Sequence, residues 1–165
     1  MEQPSQKIKI AILSGGIGPE REVSLASGKA LGAALEQYYP VTLVDIKTPT
    51  LPSDLDPNEH VVFPVIHGTF GEDGTLQSML EEKGFSYAGS GPASSRLCMD
   101  KALAKKSVAK AGVRVSEGLV FEDPSKVDAS KVIGRLGTNL VLKPTDQGSS
   151  AVSYTHLTLP TILLV

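Results

Sequence analysis

A dense turn motif, HGTFGEDGT at residues 67–75, constrains the fold of this chain more than any other stretch. It follows an apolar run at residues 61–66 and precedes Leu76, Met79 and Leu80, whose spacing predicts a helix. Three glycines within seven residues allow positive φ angles and close approach to a ligand. In parallel α/β sheets, ligands bind beyond the carboxyl ends of the strands, where such a turn lies. We interpret the motif as a binding turn between strand and helix, rather than a surface turn with solvated acids.

Strand and helix patterns alternate on both sides of this motif. Strands are predicted at residues 8–13, 41–45 and 61–66, and prolines mark a loop between the second and third. The apolar residues expected to form the buried face of the first helix are Val23, Ala26, Ala30, Ala34, Leu35 and Tyr38. This order predicts a parallel α/β sheet with right-handed crossovers.

Residues 89–92, Gly-Ser-Gly-Pro, predict a domain boundary, which gives a first domain at residues 1–93. The elements predicted in the second domain, residues 94–150, are a helix capped by Ser94 or Ser95, a helix from Lys101 to Ala111 capped by Asp100 and stopped by Gly112, and strands at 113–115, 119–121 and 140–143. About 55 residues are few for an independent core, so this domain is expected to need a partner lobe.

Composition excludes several classes of protein. With 41% hydrophobic and 21% charged residues the chain can bury a core, and a net charge of −2 offers no basic face for nucleic acid or an anionic membrane. Cys98 is the only cysteine, so we expect a reducing compartment and a buried, structural thiol. Residues 1–7 lack a signal-peptide pattern, and no apolar run approaches the roughly 20 residues of a membrane span. We therefore expect a cytoplasmic protein.

The turn motif resembles the His-Gly-x-x-Gly-Glu-Asp-Gly signature of bacterial D-alanine–D-alanine ligases. Residues 15–24, 99–101, 141–144 and 148–150 resemble further segments of that family, in the family's order. The resemblance implies a Rossmann-like parallel-sheet domain followed by the first, incomplete part of an ATP-grasp α+β domain. It also implies ATP-dependent joining of two D-alanines through an acyl-phosphate for peptidoglycan precursor synthesis in the bacterial cytoplasm. ATP, Mg²⁺ (or Mn²⁺) and D-alanine are the implied cofactors and substrates, and a homodimer stays open.

The resemblance assigns the first D-alanine to residues of the amino-terminal domain. Glu20 matches the residue that holds the ammonium group, although an acid at a helix amino terminus is also favoured by the helix dipole. Val23, Ser24 and His67 match positions of the same subsite, and His67 is expected to orient the substrate rather than transfer a proton.

The neighbouring charged residues of both turns are expected to have structural roles. Arg21 and Glu22 should form local ion pairs. Glu72 and Asp73 should serve as turn and helix-cap residues rather than metal ligands.

The resemblance assigns ATP to the second domain. Lys101 and Lys143 match lysines that contact phosphates, as compact positive charges can. Gly148, Ser149 and Ser150 match the start of a phosphate-covering loop, and Ser149 matches a serine in a catalytic hydrogen-bond network with Glu20. The alternatives are a solvated basic face for Lys101, shared with Lys105, Lys106 and Lys110, and a flexible loop for the Gly-Ser-Ser segment. The family's metal ligands match nothing here and are expected beyond residue 150, so we expect the 165-residue chain alone to lack ligase activity.

Three other interpretations stay open. A glycine pair, Gly16 and Gly18, with Asp45 at the end of the second strand partly imitates a dinucleotide-binding fingerprint, but Arg21 stands where the third glycine belongs. A D-alanine–D-lactate ligase or another ATP-grasp carboxylate–amine ligase would share the same motifs. A non-catalytic nucleotide-binding Rossmann-like module is the third.

Residues 151–165 fit neither domain pattern. They resemble a translation of sequencing-adapter DNA joined to a truncated reading frame, so we expect a non-native tail. The alternative is a divergent terminal strand that ends in residues 162–165.

Overall fold

The structure, a computed structural model, describes residues 8–146 together with the backbone of residues 154 and 155. The chain divides into two compact units, Met1–Met99 and Asp100–Val165. The predicted domain boundary at residue 93 falls within helix Pro92–Met99, which belongs to the first unit. Pro92 begins that helix, so Ser94 and Ser95 lie inside it, and their prediction as caps was wrong. Proline suits the first helical position because its φ angle is already helical and no amide hydrogen is lost there.

The first unit is a parallel α/β sheet, as predicted. Its elements are β1 (Lys9–Gly15), α1 (Arg21–Leu35), β2 (Val41–Ile46), β3 (His60–Pro64), α2 (Thr75–Glu82), β4 (Ser86–Tyr87) and α3 (Pro92–Met99). The strand order is β2-β1-β3-β4, and each neighbouring pair runs parallel. Ile10 of β1 lies opposite Val41 of β2 and Val61 of β3, which fixes the register across the centre of the sheet.

Burial on both faces explains why β1 is a nearly continuous apolar run. Ala11, Ile12 and Leu13 are completely buried, and only a strand covered on both sides needs apolar residues at consecutive positions. The cluster of buried residues that includes α2 consists of Ala11, Leu13, Ile46, Leu51, Val62, Ile66, Phe70, Leu76, Leu80 and Phe85. Leu51 comes from the β2–β3 loop, so this loop covers part of the sheet where a crossover helix is missing.

The buried face of α1 differs from the predicted one. Ser24, Gly28 and Gly32 are its buried residues, whereas Val23 and Tyr38 are 58% and 68% exposed. A Cβ atom on Gly28 would lie 2.6 Å from the Ser14 Cβ, so only glycine permits this approach of helix and strand. The prediction failed because apolarity was taken as the mark of burial, while close backbone packing selected the smallest side chains.

The second unit holds α4 (Lys101–Lys110), α5 (Ala129–Leu136), β5 (Val141–Leu142) and β6 (Tyr154–Thr155), with β5 and β6 antiparallel. The Asp100 carboxylate accepts hydrogen bonds from Ala102 N and Leu103 N at 2.8 and 2.9 Å, which confirms it as the α4 cap. The strands predicted at 113–115 and 119–121 are absent, because no described strand lies beside these segments to complete a ladder.

β6 falls in the stretch 151–165, whose assignment as a non-native tail stays a prediction. None of the helices in the described part of the chain has the length and apolar character that a membrane crossing requires.

Candidate functional site

The candidate site lies where the connections of the sheet change direction. β1 leads through α1 to β2 on one side, whereas β3 pairs with the opposite edge of β1. Such a switch point leaves a crevice at the carboxyl ends of the two strands, and ligands of α/β proteins bind there. The turn after β1 and the predicted binding turn after β3 both leave from this point, with Gly15, Gly16 and Gly68 at positive φ angles of 86°, 95° and 72°.

Ser24 holds the two turns together. Its side chain is completely buried, and its hydroxyl accepts a hydrogen bond from Gly15 N at 2.8 Å and donates one to Val65 O at 2.7 Å. A single hydroxyl therefore links the end of β1 to the chain just after β3. The structure gives Ser24 this positioning role, and its predicted contact with substrate stays a prediction.

Glu20 lies against the second turn. A Cβ atom on Gly68 would come within 3.2 Å of the Glu20 Oε2, so the glycine leaves room for the carboxylate beside the backbone that follows His67. Although Glu20 occupies the cap position of α1, its side chain makes no capping hydrogen bond. The helix dipole, the alternative reason for an acid at this position, needs no such bond, so both interpretations of Glu20 stay open; its carboxylate stands next to the predicted subsite. Val23, in the first turn of α1, is exposed, and its predicted contact with substrate stays a prediction.

The turn after β3 brings His67 and Glu72 together. The Glu72 Oε2 accepts a hydrogen bond from Gly68 N at 2.7 Å, and its Oε1 lies 3.9 Å from the His67 Nδ1. The other ring nitrogen, Nε2, is buried and has no hydrogen-bond partner among the described residues. Glu72 therefore binds the backbone of the turn, as predicted, and its charge also faces His67, which the sequence did not indicate.

Asp73 fixes the far end of the same turn. Its carboxylate accepts hydrogen bonds from Phe70 N and Thr75 N, both at 2.9 Å. Burial alone would raise the pKa of Asp73, but these hydrogen bonds outweigh it and hold the pKa below its ordinary value. The helix-cap position itself is Gly74, so Asp73 acts one residue earlier than a cap.

Phe70 of this turn and Gln77 of α2 have contacts that the sequence pattern did not indicate. Phe70 has a positive φ of 76° and is only 3% exposed, an unusual combination for a residue with a side chain. Gln77 donates a hydrogen bond from Nε2 to Gly71 O at 2.7 Å, while its buried Oε1 has no partner in the described part of the chain. Nothing in a single sequence distinguishes Gln77 from an exposed helical glutamine.

Arg21 and Asp45 form an ion pair across the sheet edge. The Arg21 Nη2 donates to both carboxylate oxygens of Asp45 at 2.7 Å, and Nη1 donates to Ile46 O and Gly16 O at 3.0 and 3.2 Å. The bonded guanidinium holds the pKa of Asp45 below its ordinary value. The ion pair predicted for Arg21 is present, although its partner is on β2 rather than nearby in sequence. Asp45 therefore does not present the free carboxylate that ribose binding in a dinucleotide fold would use.

The two predicted phosphate-binding lysines come from neighbouring segments of the second unit. The Lys101 N donates a hydrogen bond to Thr145 O at 2.9 Å, which joins the start of α4 to the chain two residues after Lys143. Lys143 is exposed directly after β5, and Lys101 is half-buried. Gly148, Ser149 and Ser150, the remaining predicted ATP residues, lie outside the described residues. Within the described ranges, no three His, Cys, Asp or Glu side chains are grouped so that they could hold a metal ion.

Cys98, expected to be buried, is exposed on α3. Its thiol therefore contributes nothing to the core of the first unit, and the prediction of a buried structural thiol was wrong.

Comparison with known proteins agrees with this geometry. Residues 48–90, which include β3 and the turn after it, match the family described as "D-ala D-ala ligase N-terminus". The chain is 40% identical over 147 residues to a D-alanine–D-alanine ligase of Desulforudis audaxviator, covering 88% of this chain and 48% of that protein. It is 36% identical over 151 residues to the enzyme of the same name from Clostridium beijerinckii, covering 89% and 49%. The chain therefore matches the amino-terminal part of D-alanine–D-alanine ligases.

Solved structures show the same relationship. The fold matches D-alanyl-alanine synthetase A from Vibrio cholerae with a TM-score of 0.81 and 28% identity, covering 97% of this chain and 55% of that one. It matches the D-alanine–D-alanine ligase of Bacillus anthracis with a TM-score of 0.76 and 27% identity, covering 95% and 52%. The chain thus spans about half the length of the D-alanine–D-alanine ligases that it matches.

Proposed function

We propose that the protein carrying this chain joins two D-alanine molecules with ATP to form D-alanyl-D-alanine. The observation that carries the proposal is the arrangement of Glu20, Gly68 and His67 at the switch point of the sheet. A carboxylate beside a glycine suits a small cationic group, and a buried imidazole nitrogen that has no partner among the described residues suits a polar ligand atom. The similarity to D-alanine–D-alanine ligases supports D-alanine as that ligand.

The chemistry follows from the substrates. A carboxylate oxygen of the first D-alanine attacks the γ-phosphorus of ATP, ADP leaves, and an acyl-phosphate forms. The amine of the second D-alanine then attacks the acyl carbon and expels phosphate. In this scheme Glu20 holds the ammonium of the first D-alanine and His67 orients it, so these residues act by positioning a reactant. Ser24 keeps their two turns in register.

The second unit would contact the nucleotide. Lys143 is exposed at the end of β5 beside the start of α4, so both lysine segments fit the phosphates of one ATP. Mg²⁺ (or Mn²⁺) would neutralise phosphate charge when bound. Ser149 is proposed to join Glu20 in a hydrogen-bond network, and Gly148 and Ser150 to cover the phosphates.

The experiment is a coupled assay on the complete protein that carries this sequence. With ATP, Mg²⁺ and D-alanine it should release phosphate and form D-alanyl-D-alanine, detected by mass spectrometry. Phosphate release only when D-lactate accompanies D-alanine would replace the proposal with the D-alanine–D-lactate alternative. ATP binding without any condensation would favour the non-catalytic module.

Location and assembly belong to the same proposal. Peptidoglycan precursors of this type are made in the bacterial cytoplasm, where we place the protein. A homodimer is proposed as its assembly, and light scattering of the complete protein would give the mass that tests it.

A further inference from the structure

We propose that Glu72 is a positioning residue that holds a proton on the His67 Nδ1 and so leaves Nε2 to the substrate. This inference rests on the proposed function, because it concerns the same D-alanine subsite. One carboxylate contacts two elements of that subsite: its Oε2 binds Gly68 N at 2.7 Å, and its Oε1 lies 3.9 Å from the His67 Nδ1.

The distance between Glu72 and His67 defines how the carboxylate acts. At 3.9 Å it is too far for a hydrogen bond, so it acts through its negative charge. In a neutral imidazole only one nitrogen carries hydrogen, and a nearby negative charge favours the form in which the facing nitrogen carries it. Glu72 therefore selects the tautomer with hydrogen on Nδ1.

The choice of tautomer matters because of Nε2, the other ring nitrogen of His67. Nε2 is buried, and the described residues offer it no hydrogen-bond partner. Buried polar atoms in native proteins nearly always have a partner, from the protein, from water or from a ligand. Because Glu72 fixes Nδ1, Nε2 is the atom that gains a partner when substrate enters.

A purely structural role accounts for less of this geometry. The turn already has its own supports, because Glu72 N donates to Gly68 O at 2.9 Å and the Asp73 carboxylate binds Phe70 N and Thr75 N. The approach of the Glu72 carboxylate to the imidazole adds nothing to the closure of the turn. It does constrain the ring that lines the subsite.

The test compares Glu72→Gln with Glu82→Gln in the complete protein. The first change keeps an oxygen that can accept the Gly68 N–H but removes the charge that faces His67. Glu82 is an exposed glutamate at the end of α2 and serves as the matched control. ¹⁵N NMR of labelled imidazoles reads the tautomer, with the His67 signal assigned by its loss in His67→Gln.

We expect wild-type His67 to carry hydrogen on Nδ1 and Glu72→Gln to shift it toward Nε2. The KM for D-alanine at the first subsite should rise about tenfold while the KM for ATP stays unchanged, since the loss concerns substrate binding. Glu82→Gln should change none of these values.

Three results would overturn the proposal: hydrogen on Nε2 in the wild type, an unchanged tautomer in Glu72→Gln, or a lowered melting temperature of that variant without a change in tautomer or KM. Absence of all D-alanine condensation in the wild type would instead defeat the proposed function. The NMR measurement is independent of turnover, so the two failures can be told apart.

Discussion

At the scale of single residues, the site depends on positions where a side chain is excluded. Gly68 combines a positive φ of 72° with a neighbouring carboxylate, Glu20, at 3.2 Å from the place of a Cβ atom. Gly84 shares the backbone requirement, with φ of 76°, but a Cβ atom there would meet no atom of the described residues within 4 Å. Substitutions at Gly68 and Gly84 can therefore separate two roles of glycine: adopting a positive φ angle, and leaving space for the Glu20 carboxylate.

Gly68→Ala should damage both stability and substrate use, whereas Gly84→Ala should damage stability alone. Each alanine is forced into the left-handed region, which costs about 1–2 kcal/mol of unfolding free energy. Only the alanine at 68 displaces Glu20, and the KM for D-alanine should rise between roughly tenfold and a hundredfold, as for other small misplacements of a binding group. Urea denaturation and steady-state kinetics measure the two effects. Equal kinetics in both variants would mean that Glu20 does not hold the substrate.

The ion pair of Arg21 and Asp45 predicts a dependence of stability on pH. Because the pKa of Asp45 is lowered in the folded protein by its hydrogen bond from Arg21, the pair stabilises the fold above the unfolded pKa of about 3.9. This contribution should disappear as the pH falls through the lower, folded pKa. The difference in urea midpoint between wild type and Asp45→Asn should therefore be constant near neutral pH and shrink below about pH 3.9. Asp54→Asn, a change at an exposed aspartate in the β2–β3 loop, should show no comparable trend.

At the scale of elements, α1 packs closely against β1. Gly28 faces Ser14 so closely that an added Cβ atom would lie 2.6 Å from the Ser14 Cβ and 2.8 Å from its Oγ. Gly134 in α5 is also helical, but a Cβ atom there has open space. Helix propensity alone favours alanine at both positions.

Gly28→Ala and Gly134→Ala should therefore change stability in opposite directions. Alanine gains up to about 1 kcal/mol in a helix relative to glycine. Overpacking against Ser14 should cost about 1–3 kcal/mol and leave Gly28→Ala less stable than the wild type. Calorimetry of each variant measures the melting temperature of the unit that contains the substitution, and so gives the direction of each change in stability. Stabilisation by Gly28→Ala would contradict this prediction and show that α1 and β1 can move apart without a loss of stability.

The order of elements in the first unit could be predicted because its signals are local. Consecutive apolar residues mark β1 and β3, and a glycine-rich turn separates each strand from its helix. The buried face of α1 could not be predicted, since it depends on how near β1 the helix lies. The strands expected at 113–115 and 119–121 failed for a similar reason: β propensity marks candidates, but a ladder requires a partner.

At the site, too, local sequence signals could be recognised in advance, whereas contacts that depend on the fold could not. Glu20 and His67 were indicated because their segments resemble those of D-alanine–D-alanine ligases, and the structure places both on the two turns at the switch point. The sequence did not indicate that Ser24 joins these turns or that Glu72 faces His67, because both contacts depend on side-chain geometry.

At the scale of the whole molecule, the predicted chemistry is divided between the two units. The residues assigned to D-alanine belong to the first unit, and the lysines assigned to ATP belong to the second. Substitutions in the two units should therefore affect different kinetic constants.

Lys143→Met in the complete protein should weaken ATP use and spare D-alanine binding. Methionine keeps most of the length of the side chain but removes the charge. A hydrogen bond to a charged group contributes roughly 1.5–3 kcal/mol, or at least a tenfold change in the KM for ATP. Lys106→Met, at an exposed lysine of α4, is the matched control. If both variants use ATP like the wild type, Lys143 is an ordinary surface lysine.

Phe70 places an unusual limit on the variation that the binding turn can tolerate. Its backbone favours glycine, with φ of 76°, whereas its ring fills the core beside α2 and is 3% exposed. Glycine would relieve the backbone and leave a cavity, while leucine or isoleucine would fill some of the space and keep the strain. Each substitution therefore satisfies either the backbone conformation or the packing of the core, but not both. A saturation library at this position should therefore return few functional variants, even though the residue touches no proposed substrate atom.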